Sequence, residues 1–126
     1  MNPVPRISEA EWAVMKVVWR KAPCLAQDVI QALTGSRKWT PATVKTLLNR
    51  LVSKGALQFE KAGKSYLYSP AFTEQQIRAA EADSFLHRVF DGALSPMISH
   101  FVQSRRLTQK ELESLEKILK EKRRSA

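Results

Sequence analysis

A chain of 126 residues, 44% hydrophobic and 26% charged, suits one compact domain or a small domain with a helical appendage, and is too apolar for a disordered segment. Its formal net charge is +9, and its single cysteine, Cys24, excludes an intrachain disulfide and a cysteine-built structural zinc site. No apolar run approaches the ~20 residues of a membrane span, and the opening MNPVPRISEAEW lacks the cationic end and apolar block of a secretory signal, so a cytoplasmic protein with no membrane insertion is expected.

In chain order, Ile7-Ser8-Glu9-Ala10-Glu11-Trp12 predicts a helix beginning at Glu9. Ser8 caps it, Glu11 closes a capping box, and Ile7 is spaced to staple onto Trp12. Trp12, Met15, Val18 and Trp19 mark its expected buried side, and Arg20-Lys21-Ala22-Pro23 ends it with cations at the carboxyl end of the dipole. Cys24 reads as a small buried apolar residue. A short second helix is expected from Leu25 to Leu33, with Leu25, Val29, Ile30 and Leu33 inward and Thr34-Gly35-Ser36 breaking it.

Residues 38–70, KWTPATVKTLLNRLVSKGALQFEKAGKSYLYSP, are the most informative stretch. Thr40 suits the N-cap and Pro41 the first helical position, where its missing N–H finds no partner anyway. Val44, Leu47, Leu48, Leu51 and Val52 form one apolar stripe, and Gly55 supplies a left-handed stop. At 100° per residue the opposite face carries Thr43, Thr46, Asn49, Arg50 and Ser53, flanked by Lys45 and Lys54. Leu57 and Phe59 then alternate with Gln58 and Glu60 as a half-buried strand. Ala62-Gly63-Lys64 turns, and Tyr66 and Tyr68 alternate back, giving a hairpin with Lys61 and Lys64 near its tip. A short helix, a longer one and a hairpin in this order predict a winged helix-turn-helix over residues 6–70.

After a brief linker, Thr73 with Gln76 repeats the capping pattern for a long helix from Glu74 to about Gly92, with Ile77, Ala80, Ser84, Phe85, Val89 and Phe90 on one face. Ser95-Pro96 starts another, carrying Met97, Ile98, Phe101 and Val102. Thr108 and Glu111 open the last, with Leu112, Leu115, Ile118 and Leu119 in line and a basic end from Lys120 expected to fray. Three such helices have more apolar stripe than they can bury alone. A second copy of the chain is the economical cover, so residues 73–122 are expected to form a helical dimerisation domain through Phe85, Val89, Phe90, Ile98, Phe101, Leu112, Leu115 and Leu119. The fold class is then mostly α with a small β-hairpin wing.

No catalytic constellation is present: the chain has no P-loop, GxGxxG or HExxH, and His87 and His100 have no ligand-spaced cysteine or carboxylate. Neither an enzyme, a metal site nor a cofactor is expected. The charge points elsewhere. Residues 1–70 hold eleven Lys or Arg against four Asp or Glu, while 71–126 hold ten against eight, a bias that favours a polyanionic partner such as double-stranded DNA. Thr43, Thr46 and Asn49 are compact groups able to approach base edges, and Arg50 suits guanine or phosphate. Lys45, Lys54, Lys61 and Lys64 suit phosphate, which gives affinity without sequence information.

The stretches ISEAEWAVMKVVW, KWTPATVKTLLNRLVSKGAL, YLYSP and LTQKELESLEKIL closely resemble the penicillinase repressor (BlaI/MecI/CopY) family over nearly the whole chain. The resemblance implies a winged-helix repressor that binds a palindromic operator as a homodimer joined through its carboxy-terminal helices and silences antibiotic-resistance genes of the beta-lactamase type. It places the family's recognition contacts on Thr43, Lys45, Thr46 and Arg50. In the beta-lactam branch a membrane sensor-protease pathway leads to cleavage before a phenylalanine, and the matching bond here joins His100 to Phe101, with histidine where that branch has asparagine. The cysteine pairs of the copper branch are missing. Alternative readings are a winged-helix repressor answering another signal, a winged-helix protein-interaction module, and a small nucleic-acid enzyme or RNA binder; the last lacks paired acids and stacking platforms.

Overall fold

The computed structural model describes residues 3–126. Six helices and three short strands follow in the order α1 (Glu9–Lys21), β1 (Cys24–Leu25), α2 (Ala26–Arg37), α3 (Pro41–Ser53), β2 (Leu57–Ala62), β3 (Ser65–Pro70), α4 (Glu74–Phe90), α5 (Leu94–Ser104) and α6 (Gln109–Ser125). They fall into two compact units, one ending at Asp83 and one beginning at Ser84.

In the first unit the capping box of α1 forms as the residue types require. Ser8 Oγ accepts from the Glu11 amide at 3.2 Å, and Glu11 Oε1 accepts from the Ser8 amide at 2.7 Å. The buried side of α1 is centred on Val14, Met15, Val17 and Val18. Trp12 and Trp19, expected there, are only half-buried and meet edge to face with ring centroids 5.6 Å apart. An indole at the core's rim buries its carbon surface and keeps its N–H within reach of an acceptor; Trp19 Nε1 donates to the carbonyl of Phe72 at 3.0 Å.

Helix α2 outlasts its expected stop. It runs through Thr34, Gly35 and Ser36 to Arg37 and ends at Lys38, whose φ of 58° is left-handed. A single glycine costs a helix only about 1 kcal/mol relative to alanine, and Val29, Ile30 and Leu33 hold α2 on the core. The Arg37 guanidinium lies 5.3 Å from the centre of the Trp39 ring, closing the turn into α3. In α3, Thr40 Oγ1 accepts from the Thr43 amide at 3.2 Å, Pro41 takes the first position, and Val44, Leu47, Leu48 and Leu51 are buried.

The sheet has the antiparallel order β1-β3-β2. A third strand joins the hairpin: Cys24 and Leu25 pair with Tyr68 and Leu67 where the sequence predicts only the start of α2, and burial raises the Cys24 thiol above its ordinary value of 9. Gly63, at φ 65°, opens the two-residue turn between β2 and β3, where a hairpin turn favours glycine. The alternation expected of β2 does not hold. Only Leu57 is buried, and Phe59 is 46% exposed, its ring meeting those of Tyr66 and Tyr68 on the neighbouring strand. The first unit also takes in the opening turns of α4. Thr73 and Gln76 exchange the expected capping bonds at 3.1 and 2.8 Å, and Ile77 is fully buried in the core.

In the second unit no described residue is fully buried. Phe85 packs with Phe90 and Phe101 at centroid distances of 6.0 and 6.3 Å, and His100 lies beside Phe90 and Phe101. Thr108 and Glu111 form the expected box at the start of α6. The basic end expected to fray stays helical to Ser125; cations in a last turn are favoured by the dipole.

Candidate nucleic-acid interface

The stripe that buries Leu48 and Leu51 fixes which side of α3 meets solvent. Thr43, Lys45, Thr46, Asn49 and Arg50 are all exposed. Thr46 Oγ1 donates to the Ala42 carbonyl at 3.0 Å, so its one hydroxyl hydrogen is spent within the helix and it offers a methyl group and an acceptor outward. Thr43 Oγ1 lies 3.0 Å from Thr40 Oγ1. Asn49 and Arg50 are exposed and, among the described residues, have no side-chain hydrogen-bond partner, so their amide and guanidinium donors are available to an outside acceptor.

The wing adds charge beside this face. Lys61 lies opposite Tyr66 in the β2–β3 register, and Lys64 sits in the turn. Lys45 and Asn49 of α3, Lys64, Ser65, Tyr66 and Tyr68 of the hairpin, and Gln27 of α2 line one open groove of about 450 Å³. Of the expected contacts, this groove brings together Lys45, Asn49 and Lys64, while Thr43, Thr46, Arg50 and Lys61 are exposed outside its lining. Tyr66, which the sequence marks only as a strand residue, and Gln27 are additions to the expected contact set. Tyr66 is 46% exposed, braced edge to face on Phe59 at 4.8 Å; its place opposite Lys61 in a period-2 ribbon is the signal that marks it.

Lys54, 39% exposed, does not line that groove. Expected as a phosphate contact, its ammonium instead bonds Glu11 Oε1 at 2.6 Å and the Arg6 carbonyl at 3.2 Å. Glu11 is 1% exposed. Burial pushes its pKa up, but bonds from Lys54 and from the Ser8 amide and hydroxyl outweigh that and hold it below the ordinary 4.5.

The expected dimerisation residues all lie in the second unit. Phe85 and Phe90 are half-buried, whereas Val89, Ile98, Phe101, Leu112, Leu115 and Leu119 are exposed, together with Leu94, Val102 and Ile118. Ile98, Phe101, Val102, Leu107 and Leu115 line an apolar groove of about 460 Å³ between α5 and α6. The His100–Phe101 bond lies in the middle of α5. Among the described residues, no three His, Cys, Asp or Glu gather to hold a metal ion, and no helix is long and apolar enough to cross a membrane.

The penicillinase repressor family model matches residues 7–121. A penicillinase repressor of Bacillus licheniformis is 36% identical over 121 residues, spanning 96% of this chain and 94% of that protein. The methicillin resistance regulatory protein MecI of Mammaliicoccus sciuri is 33% identical, spanning 96% and 98%. Among solved structures, monomeric B. licheniformis BlaI in complex with the blaP half-operator is 39% identical with a TM-score of 0.53, covering 60% of this chain and 93% of that one.

Proposed function

Because the chain belongs to the penicillinase repressor family, a family of repressors and not of enzymes, we propose that it is a sequence-specific DNA-binding repressor of beta-lactam resistance genes. The observation that carries this reading is the solvent-facing side of α3, where Thr43, Thr46, Asn49 and Arg50 are exposed and Lys45 shares a groove with the wing lysine Lys64. The first four are suited to base edges in the major groove, and Lys45, Lys61 and Lys64 to phosphates. It acts in the cytoplasm, where operator DNA is.

Its finer parts rest on the second unit. The chain works as a homodimer, because Ile98, Phe101, Leu112, Leu115 and Leu119 are left exposed along two helices and a second copy covers them at no cost in new sequence. Two-fold symmetry then requires a palindromic operator with half-sites about 34 Å, or a multiple, apart. Repression is relieved by cutting the His100–Phe101 bond downstream of a membrane sensor. Since that bond lies within α5, the helix must open locally before a protease can take the segment in extended form.

Selection of bound sequences from a random duplex pool tests the reading. An enriched inverted repeat is expected, and it should lie beside resistance genes in the source genome. Recovery of no motif, with binding insensitive to salt and to Arg50→Ala, would instead favour a protein-interaction module; a motif beside unrelated genes would favour a repressor answering another signal.

A further inference from the structure

We propose that Glu11 is a positioning residue for DNA recognition: its buried carboxylate grips Lys54 at the carboxyl end of α3 and so sets the rotation at which Thr43, Thr46, Asn49 and Arg50 face the duplex. The inference rests on the reading of α3 as the recognition helix.

Glu11 is the charged residue that the core of the first unit contains, at 1% exposure. The Ser8 amide holds its Oε1 at 2.7 Å through the capping box of α1, so the oxygen is in place without help from α3. Lys54, the residue at which α3 ends, reaches that oxygen at 2.6 Å and the Arg6 carbonyl at 3.2 Å. Two hydrogens of one ammonium are therefore committed to the start of α1, 43 and 48 residues away in sequence. Glu11 Oε2 has no hydrogen-bond partner among the described residues. The carboxylate is buried while the Lys54 side chain stays 39% exposed; an ion pair that desolvates one partner and leaves an oxygen unsatisfied adds little net stability over apolar side chains of like size, and the best attested use of such a pair is to fix register.

Fixing register is what α3 needs. The packing of Val44, Leu47, Leu48 and Leu51 is strong but non-directional, and it resists a small roll of the helix only weakly. Side-chain ends lie roughly 5–6 Å from a helix axis, so a roll of ~10° moves them by ~1 Å, beyond the ~0.5 Å within which a binding constellation must be held. Hydrogen bonds restrain direction as well as distance. At its amino end α3 has its own cap, Thr40 to Thr43; at its carboxyl end the Glu11–Lys54 contact ties it to a different element.

The test uses the full chain and a duplex enriched by the wild type from a random pool, with affinity measured for that duplex and for a scrambled one at equal salt. Folding of each variant is checked by circular dichroism well below its melting temperature. Glu11→Gln is expected to lose roughly tenfold in affinity for the enriched duplex, about the discrimination carried by one base contact, while binding the scrambled duplex as before. Lys54→Arg, which keeps the cation, is expected to retain the discrimination. A lower melting temperature with an unchanged ratio of the two affinities is what a merely stabilising contact gives, and it would overturn the proposal, as would an equal loss on both duplexes. Should Glu11→Gln not fold, Glu11→Met, which fills the same buried volume without a carboxylate and leaves every cation in place, carries the same expectations. A wild type that fails to distinguish the duplexes overturns the recognition reading and this inference with it; a discriminating wild type beside an equally discriminating Glu11→Gln overturns this inference alone.

Discussion

The indole Nε1 of Trp19 donates a 3.0 Å hydrogen bond to the carbonyl of Phe72, 53 residues further along the chain. Phe72 immediately precedes Thr73, the cap of α4, and Ala71 donates to the Ala56 carbonyl at 2.9 Å. Helix α1 therefore fixes the point at which α4 leaves the sheet. Trp19→Phe keeps an aromatic ring and loses the donor, so it should lower unfolding free energy by about 1 kcal/mol. Urea unfolding followed by circular dichroism measures this; an unchanged midpoint would mean the bond contributes nothing in water.

Glu11 gives stability a defined acid limb. Its folded pKa is lowered below the ordinary 4.5, so its stabilisation is fully present above that value and disappears as pH falls through the lowered one. The difference in unfolding free energy between wild type and Glu11→Gln should hold level from neutral pH down towards the ordinary 4.5 and shrink as pH falls below it. Curves that stay parallel throughout would show that Glu11 does not titrate differently on folding.

The apolar faces of α5 and α6 predict a mass. Wild type at micromolar concentration should sediment as a dimer, and Leu115→Asp combined with Leu119→Asp should give a monomer whose first unit remains folded, because its core draws on no residue beyond Ile77. A monomeric wild type would remove the symmetry argument for a palindromic site.

Base readers and phosphate contacts should separate in their salt response. Arg50→Ala should weaken binding to the enriched duplex by roughly 1 to 3 kcal/mol and spare scrambled DNA. Lys64→Ala should weaken all duplexes alike and flatten the salt slope by about one unit. Similar effects from both variants would mean that Arg50 contacts phosphate and reads no base.

The parts of this fold legible from sequence are those with a local cause. Ser8 with Glu11, Thr40 with Pro41 and Thr108 with Glu111 each satisfy helix-end amides within four residues, and each cap forms where expected. The same locality fixes the outward face of α3, since Val44, Leu47, Leu48 and Leu51 leave no other side to bury. What escaped has a distant cause. The two-residue strand Cys24–Leu25 has no periodicity of its own and exists because Tyr68 and Leu67 lie beside it. Phe59 looks half-buried by alternation but is 46% exposed, packed on Tyr66 and Tyr68 of the next strand and not on the core. Lys54 sits on a cationic flank by helical wheel, and only tertiary structure brings Glu11 beneath it.

The central claim, that the outer side of α3 and the wing touch DNA, is tested most directly by amide chemical-shift mapping of the full chain titrated with the enriched duplex. The account predicts the largest shifts at residues 40–50 and at the hairpin tip between Lys61 and Tyr66. Shifts concentrated in the second unit, with α3 and the wing unchanged, would contradict it.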